Sequence, residues 1–132
     1  MIVAERKPID EIMEMIKDSA KVLVLGCGGC VSVCVTGGEK QAEILASQLR
    51  MKAGSEKKEI ELKYDCVTRQ CDREFLEEIK DLVADADAVL SLACGAGVQL
   101  MSDIFPAAFI YPAMNTTFLG ANTAPGVWAE NC

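Results

Sequence analysis

The chain has 132 residues, of which 51% are hydrophobic and 25% are charged; this balance is typical of one globular domain and excludes a disordered or low-complexity chain. A formal net charge of -7 makes binding to nucleic acid or to an anionic membrane surface unfavourable. Histidine does not occur, which excludes a histidine general base and an imidazole metal ligand.

The first half of the chain alternates helical and strand patterns. We assign the first twenty residues to an N-terminal helix, because apolar residues from Pro8 to Ser19 recur at helical spacing and Pro8 suits a first turn. The apolar run Lys21 to Gly26 predicts a buried strand. A segment rich in glycine and cysteine follows, and Glu39 to Lys52 then predicts an amphipathic helix.

The same alternation continues in the second half. Charged and apolar residues alternate from Glu59 to Tyr64, which predicts a strand at a sheet edge. Asp72 to Asp85 predicts a helix with one apolar face, and Ala88 to Leu92 predicts a third strand. A short helix from Val98 to Ile104 and a short strand from Phe109 to Tyr111 complete the pattern.

Strands that alternate with helices indicate right-handed crossovers and a parallel sheet covered on both faces. We therefore predict one α/β domain over residues 1–132, with a flavodoxin- or Rossmann-like three-layer fold and a sheet of about four parallel strands. No apolar run reaches transmembrane length and the N-terminus does not resemble a signal peptide, so we expect a soluble, cytoplasmic protein.

The seven cysteines carry the main functional signal. Their odd number excludes complete internal disulfide pairing, and in a reducing compartment clustered cysteines are more often metal ligands or redox groups. Six of them follow or precede the predicted strand ends closely enough to meet at one edge of the sheet, where ligands bind in such folds. The six are Cys27, Cys30, Cys34, Cys66, Cys71 and Cys94.

The spacing CxxCxxxC within GCGGCVSVC suggests the ligands of an inorganic centre. A helix that begins near Gly29 would place all three of its cysteines on one face, and its N-terminus would favour an anionic centre. An all-thiolate site suits an iron–sulfur cluster or a four-cysteine zinc site, and the spacing does not separate the two. The predicted ligands are Cys30, Cys34, Cys71 and Cys94, with Cys27 as the substitute because it ends a buried strand.

Two other interpretations of the glycine-rich segment are weaker. The sequence CGGC at residues 27–30 could form a thioredoxin-like redox pair, but the other cysteines would then be neighbours by coincidence. A dinucleotide-binding loop is disfavoured, because Val31 stands where the pattern requires its third glycine. No convincing acid–base pair is apparent, so we predict no catalytic residues.

The segment 104–132 is predicted to be irregular. It carries no charge from Ile104 to Ala129, although a quarter of the chain is charged. Such a segment either packs over the end of the sheet or presents a partner surface, since interface centres are depleted of charge and enriched in aromatic residues. Phe118 and Trp128 are the candidate anchors for a partner.

Several separated motifs resemble the methylenetetrahydrofolate reductase C-terminal domain family. The resemblance runs from about Lys21 to Cys132, and its cysteines match Cys27, Cys30, Cys34, Cys71 and Cys94, while Cys66 is not a regular family position. The motifs that carry it are GCGGCVSVCVTGGEKQAEILASQLR, TRQCDREFLEEI, ADAVLSLACGAGVQ, YPAMNTTFLG and GVWAENC.

The resemblance implies a small accessory subunit of an anaerobic methylenetetrahydrofolate reductase. Such a subunit carries a 4Fe–4S cluster that feeds electrons to the flavin, FMN or FAD, of the catalytic subunit. The complex reduces methylenetetrahydrofolate to methyltetrahydrofolate in the Wood–Ljungdahl pathway, with ferredoxin or another donor subunit upstream. We thus expect a non-catalytic electron-transfer protein, with a zinc-binding structural or regulatory subunit as the alternative.

Overall fold

The computed structural model describes residues 1–131, and Cys132 lies outside the described residues. Helices and strands alternate through most of this part of the chain. None of the helices within residues 1–131 has the length and apolar character needed to cross a bilayer. In chain order the elements are β1 (Ile2–Arg6), α1 (Ile9–Met15), β2 (Lys21–Cys27), α2 (Cys30–Val33), α3 (Glu39–Ser55), β3 (Glu61–Val67), α4 (Arg73–Glu77), α5 (Lys80–Asp85), β4 (Ala88–Ser91), α6 (Gly95–Ile104), β5 (Ile110–Pro112), β6 (Met114–Ala124) and β7 (Val127–Glu130).

A four-stranded sheet of order β3-β2-β4-β5 forms the centre of the fold, and every neighbouring pair in it is parallel. The predicted three-layer α/β fold with a short parallel sheet is therefore confirmed. The first parallel strand, β2, lies between the second and the third, which is the strand order of flavodoxin-like folds. From β2 the chain moves to one side of the sheet to form β3 and then to the other side to form β4. Ligands of such folds bind where the strand order reverses in this way, between β2 and β4.

The two faces of the parallel sheet bury different cores because successive side chains of a strand point to opposite sides. Val22 and Val24 of β2 face a core that is covered by α1 and α3. Leu23 and Leu25 face a second core that is covered by α4, α5 and α6. The near-continuous apolar sequence of β2 is thus explained by burial on both faces.

A second, antiparallel sheet of order β1-β6-β7 corrects two predictions. Residues 2–6 form a strand, so only part of the first twenty residues is helical. The segment 104–132, predicted to be irregular, contains the end of α6, β5 and the antiparallel hairpin of β6 and β7. These strands lack a clear apolar alternation because most of their side chains are exposed, and backbone pairing forms the sheet.

The helix predicted over Asp72 to Asp85 is interrupted. Asp72 caps α4 by accepting a hydrogen bond from the backbone N–H of Glu74 at 3.3 Å, and the chain turns at Ile79 before α5 begins. Ile79 remains buried, as do Leu76 of α4 and Val83 of α5, so both short helices contribute to one core. The apolar spacing therefore identified the buried face but not the break.

Gly37 brings the cysteine-rich loop against the end of β4. A Cβ at Gly37 would overlap the Leu92 carbonyl oxygen and lie 2.8 Å from Cγ2 of Val31. We predict that Gly37→Ala lowers the free energy of unfolding by about 1–3 kcal/mol, because backbone atoms must shift to admit the methyl group. Urea unfolding of the metal-free protein measures this change.

Gly54→Ala is the matched control. Gly54 lies in α3 with open space around its Cβ position, so alanine should raise the free energy of unfolding by about 0.5–1 kcal/mol. Equal effects of the two substitutions would contradict the close approach at Gly37.

Candidate metal centre

A cavity of about 260 Å³ lies at the carboxyl ends of the parallel strands. Four cysteines line it, and they come from the three segments that follow β2, β3 and β4. Cys27, Cys30, Cys71 and Cys94 are these cysteines. The remaining lining residues are Gly29, Val31, Arg69, Ala93 and Gly97.

The parallel sheet explains why cysteines so distant in sequence meet. Cys27 is the last residue of β2, and Cys30 is the first residue of α2. Cys71 lies in the turn between β3 and α4, and Cys94 precedes the first residue of α6. Because parallel strands point in the same direction, the segments that follow β2, β3 and β4 emerge at one edge.

Cys34 lies outside the cavity, contrary to the expectation that it would stand with Cys30. Helix α2 contains only four residues, and the chain leaves it through Val35, whose φ is 59°. The thiol of Cys34 lies 3.4 Å from the carbonyl oxygen of Cys30 and 3.3 Å from Oγ1 of Thr36, and it packs against the core. The backbone N–H of Cys34 donates to the carbonyl oxygen of Cys30 at 3.2 Å, so Cys34 lies one helical turn beyond Cys30, and its thiol faces β1 at Ile2.

Cys66 also lies apart from the cavity lining. It is a residue of β3 and pairs with Gly26 of β2, and a Cβ at Gly26 would lie 3.1 Å from the Cys66 sulfur. Burial raises the pKa of the Cys66 thiol to about 11, with smaller contributions from Cys27, Glu39 and Asp65. The expectation that six cysteines converge therefore reduces to four that line one cavity.

The four cavity thiols influence one another electrostatically. Burial raises the pKa of the Cys71 thiol, and the neighbouring thiols of Cys27, Cys94 and Cys30 raise it further against an opposing backbone hydrogen bond. Like charges disfavour a thiolate at Cys71, so this thiol favours the neutral form until a cation joins the site. Metal binding at this site would therefore release protons.

Exposure is distributed unevenly around the cavity. Cys27 and Cys94 are buried, Cys30 is partly buried and Cys71 is exposed. Arg69 is the charged residue of the lining, and among the lining residues within 1–131 none is Asp or Glu. A protein of net charge -7 thus presents thiols and one cation here, which favours an anionic centre.

The thiols surround a space instead of meeting at one point. Among the described residues 1–131, no three side chains of Cys, Asp or Glu are gathered closely enough to hold one metal ion. The cavity of about 260 Å³ is smaller than the ~300–1,000 Å³ pockets that hold drug-sized ligands. Its size and its sulfur donors suit a compact inorganic group better than a nucleotide.

Comparisons with protein-family models, with curated proteins and with solved structures gave no match to this chain. The arguments about the site therefore rest on its own residues.

Two lining residues were not recognised as members of the primary set. Cys27 was only a substitute because it ends a buried strand, yet the end of a strand is where the chain turns toward the cavity. Arg69 was overlooked, although its position two residues before Cys71 placed it in the same turn. Both Cys27 and Arg69 can be predicted from the rule that binding sites of parallel sheets form beyond the carboxyl ends of the strands.

We predict that three cysteine substitutions divide into one that weakens metal binding and two that do not. Cys27→Ser should weaken Co²⁺ binding by more than the ~10–100-fold that loss of an outer-shell partner costs, since it removes a cavity thiol. Cys34→Ser and Cys66→Ser should leave binding within about twofold, since both thiols lie outside the cavity. Anaerobic titration followed by the sulfur-to-cobalt charge-transfer absorption measures all three. A loss with Cys34→Ser and none with Cys27→Ser would contradict the assignment.

Proposed function

We propose that the protein is an iron–sulfur electron-transfer subunit whose cavity cysteines hold a 4Fe–4S cluster. One observation carries the proposal: four cysteines from three chain segments line a single compact cavity at the strand ends. The proposed ligands are Cys27, Cys30, Cys71 and Cys94, so Cys27 replaces Cys34 in the set predicted from sequence.

The donor chemistry fits this group. Iron–sulfur clusters of this type take four cysteine thiolates, and the cavity offers four thiols with no carboxylate among its lining residues. Gly29 places no side chain beside the thiols, and a Cβ at its position would lie 3.6 Å from the Cys27 sulfur. When bound, a 4Fe–4S cluster supplies one-electron transfer at a potential that its surroundings set.

The chain's own residues would shield one side of the site and open the other. Cys27 and Cys94 are buried at the sheet edge, where they exclude water. Cys71 is exposed, so its side of the cavity is accessible to a partner. Arg69 contributes the charged side chain of the cavity lining, and it is a cation. This asymmetry suits electron exchange with a second protein.

The partner that we propose is the flavin-containing catalytic subunit of an anaerobic methylenetetrahydrofolate reductase, as the sequence resemblance implies. The chain would pass electrons from a donor such as ferredoxin to the FMN or FAD of that subunit in the cytoplasm. The support for a docking role is the hairpin of β6 and β7, where residues 121–131 are all exposed. Trp128 is 44% exposed on this hairpin.

A zinc-binding structural or regulatory subunit is the second candidate. The observation that favours it is the position of Cys34 and Cys66, which leaves four cysteines at the cavity and no fifth among residues 1–131. Structural zinc takes four thiolates in a closed tetrahedron. The sulfurs would have to move together for this, because they now surround an open space.

Metal analysis distinguishes the two candidates. Protein purified under strict anaerobic conditions should contain about four irons and four labile sulfides per chain, because the cavity is lined by four thiols and has room for a cluster. Iron, zinc and sulfide are measured on the same sample. One zinc per chain without sulfide would support the second candidate and exclude the first.

The electron-transfer role is tested on the complex. A low-potential donor should reduce the partner's flavin through the wild-type chain, and Cys71→Ser should slow this reduction in proportion to the iron and sulfide that it loses. The Cys66→Ser complex is the matched control, since Cys66 lies outside the cavity lining. Equal rates in complexes with and without iron would assign the chain a structural role.

We predict that Trp128→Asp weakens association with the catalytic subunit by on the order of tenfold or more. Trp128 is exposed in the free chain, and docking would bury a charge in the variant where it buries an aromatic ring in the wild type. Phe118 is the less suitable anchor, since it is half-buried and its ring covers Gly120. Calorimetric titration measures the affinity, and iron content should stay unchanged.

Phe109→Asp is the matched control for docking. Phe109 is 67% exposed and precedes β5 at the opposite end of the parallel sheet. Its substitution should leave the affinity unchanged. Equal losses from both variants, or none from Trp128→Asp, would exclude the hairpin as the docking surface.

A further inference from the structure

A buried hydrogen-bond network lies directly behind the cysteine cavity. Gln70 is fully buried, and its Nε2 donates to the carbonyl oxygens of Leu25 at 2.8 Å and Gly26 at 3.1 Å. Its Oε1 accepts a hydrogen bond from Oγ of Ser91 at 2.6 Å. The Ser91 Oγ in turn accepts a hydrogen bond from the backbone N–H of Ala93 at 3.3 Å. The backbone carbonyls of Leu25 and Gly26 can only accept hydrogen bonds, so the Gln70 nitrogen must face them and its oxygen must face Ser91.

The network reaches the residue immediately before each of three cavity cysteines. Gly26 precedes Cys27 at the end of β2, and Gln70 itself precedes Cys71. Ala93, at the far end of the chain of bonds, precedes Cys94. One side chain thus connects three segments that are distant in sequence and adjacent at the cavity.

The surrounding packing leaves Gln70 little freedom. A Cβ at Gly97 would lie 2.7 Å from Cβ of Ala93 and 3.0 Å from Cβ of Gln70, so the first turn of α6 rests on both residues. The three cavity segments and α6 therefore meet at Gln70. A shift of any one of them would break a hydrogen bond or create a clash.

A buried amide is an expensive way to fill space. An apolar side chain of the same volume would need no partners, whereas a buried polar group that loses one is destabilising. Every polar atom of Gln70 has a partner, and no buried side-chain nitrogen or oxygen within residues 1–131 is unsatisfied. A fully satisfied network specifies one geometry among segments that apolar packing alone would allow to slide.

We propose that Gln70 is the positioning residue of the cysteine cavity, holding the segments that carry Cys27, Cys71 and Cys94 in place around it. The role rests on the proposed metal-binding function, because that function is the reason to position thiols. The arrangement itself exists in the metal-free protein. Cys30, which lies on α2, is outside the network and is positioned by its own helix.

The test compares Gln70→Met, which keeps the volume and removes the hydrogen bonds, with Val83→Ala, which removes core contacts on α5 far from the cysteines. Co²⁺ affinity and the charge-transfer spectrum report the four-thiol site. Phenylarsine oxide, which bridges two neighbouring thiols, reports their proximity in metal-free protein. Urea unfolding of each variant reports its stability.

Gln70→Met should weaken Co²⁺ binding by about 10–100-fold and alter the absorption spectrum, as loss of outer-shell partners does at other metal sites. It should also slow arsenical capture. Ser91→Ala should act in the same direction, and the double variant should lose less than the product of the two single losses, since both act through one network.

Val83→Ala should destabilise the fold and leave both thiol probes unchanged. If Gln70→Met binds Co²⁺ and the arsenical as the wild type does, the positioning role is overturned. It is also overturned if Val83→Ala, with the same free energy of unfolding as Gln70→Met, loses as much Co²⁺ affinity and arsenical capture. Wild-type protein that captures the arsenical but binds neither Co²⁺ nor iron would refute the proposed function alone. Positioning by Gln70 is then judged by arsenical capture.

Discussion

The hydrogen-bonded register of β2 is the constraint on which the site depends. This strand pairs in parallel with β3 from Lys21 to Cys27 and with β4 from Val22 to Leu25. Parallel pairing fixes both the direction and the height at which each neighbour ends. A slip of one residue would move the core residues of β2 to the opposite face and carry Cys27 away from the cavity. Gly26 resists such a slip, because a side chain in its place would meet the Gly38 carbonyl oxygen at 3.0 Å.

The sequence was informative where burial imposes a pattern. Apolar runs and helical spacing predicted the parallel strands and α3 to within a few residues, and strand ends predicted the edge at which cysteines meet. The antiparallel strands could not be predicted in this way, because β7 is exposed along its length and β6 is exposed at most positions. The position of Cys34 differs for another reason: its spacing from Cys30 does not reveal that its thiol faces β1 and not the strand ends. Gln70 gave no signal, since a buried amide is recognised only from its partners.

Charge is segregated in this molecule, and the segregation favours the cavity as an anionic site. The net charge is -7, yet the cavity lining carries Arg69 and no carboxylate among its described residues. Acidic side chains elsewhere form ion pairs at the surface, as Asp85 does with Lys21 and Lys63. Such exposed pairs contribute little to stability. Their role here is to keep the exposed carboxylates of β3 and α5 locally compensated at the end of the sheet opposite the thiols.

A hydrogen bond joins the loop of a cavity cysteine to the antiparallel sheet. The backbone N–H of Gly95, one residue after Cys94, donates to Oγ1 of Thr116 on β6 at 3.3 Å. Strand β6 continues from Thr116 into the exposed hairpin that carries Trp128. The proposed docking surface and the loop of a cavity cysteine are therefore connected through one strand. Under the proposed function, a partner bound at the hairpin would contact the strand that holds this loop, while Cys71 stays exposed at the cavity.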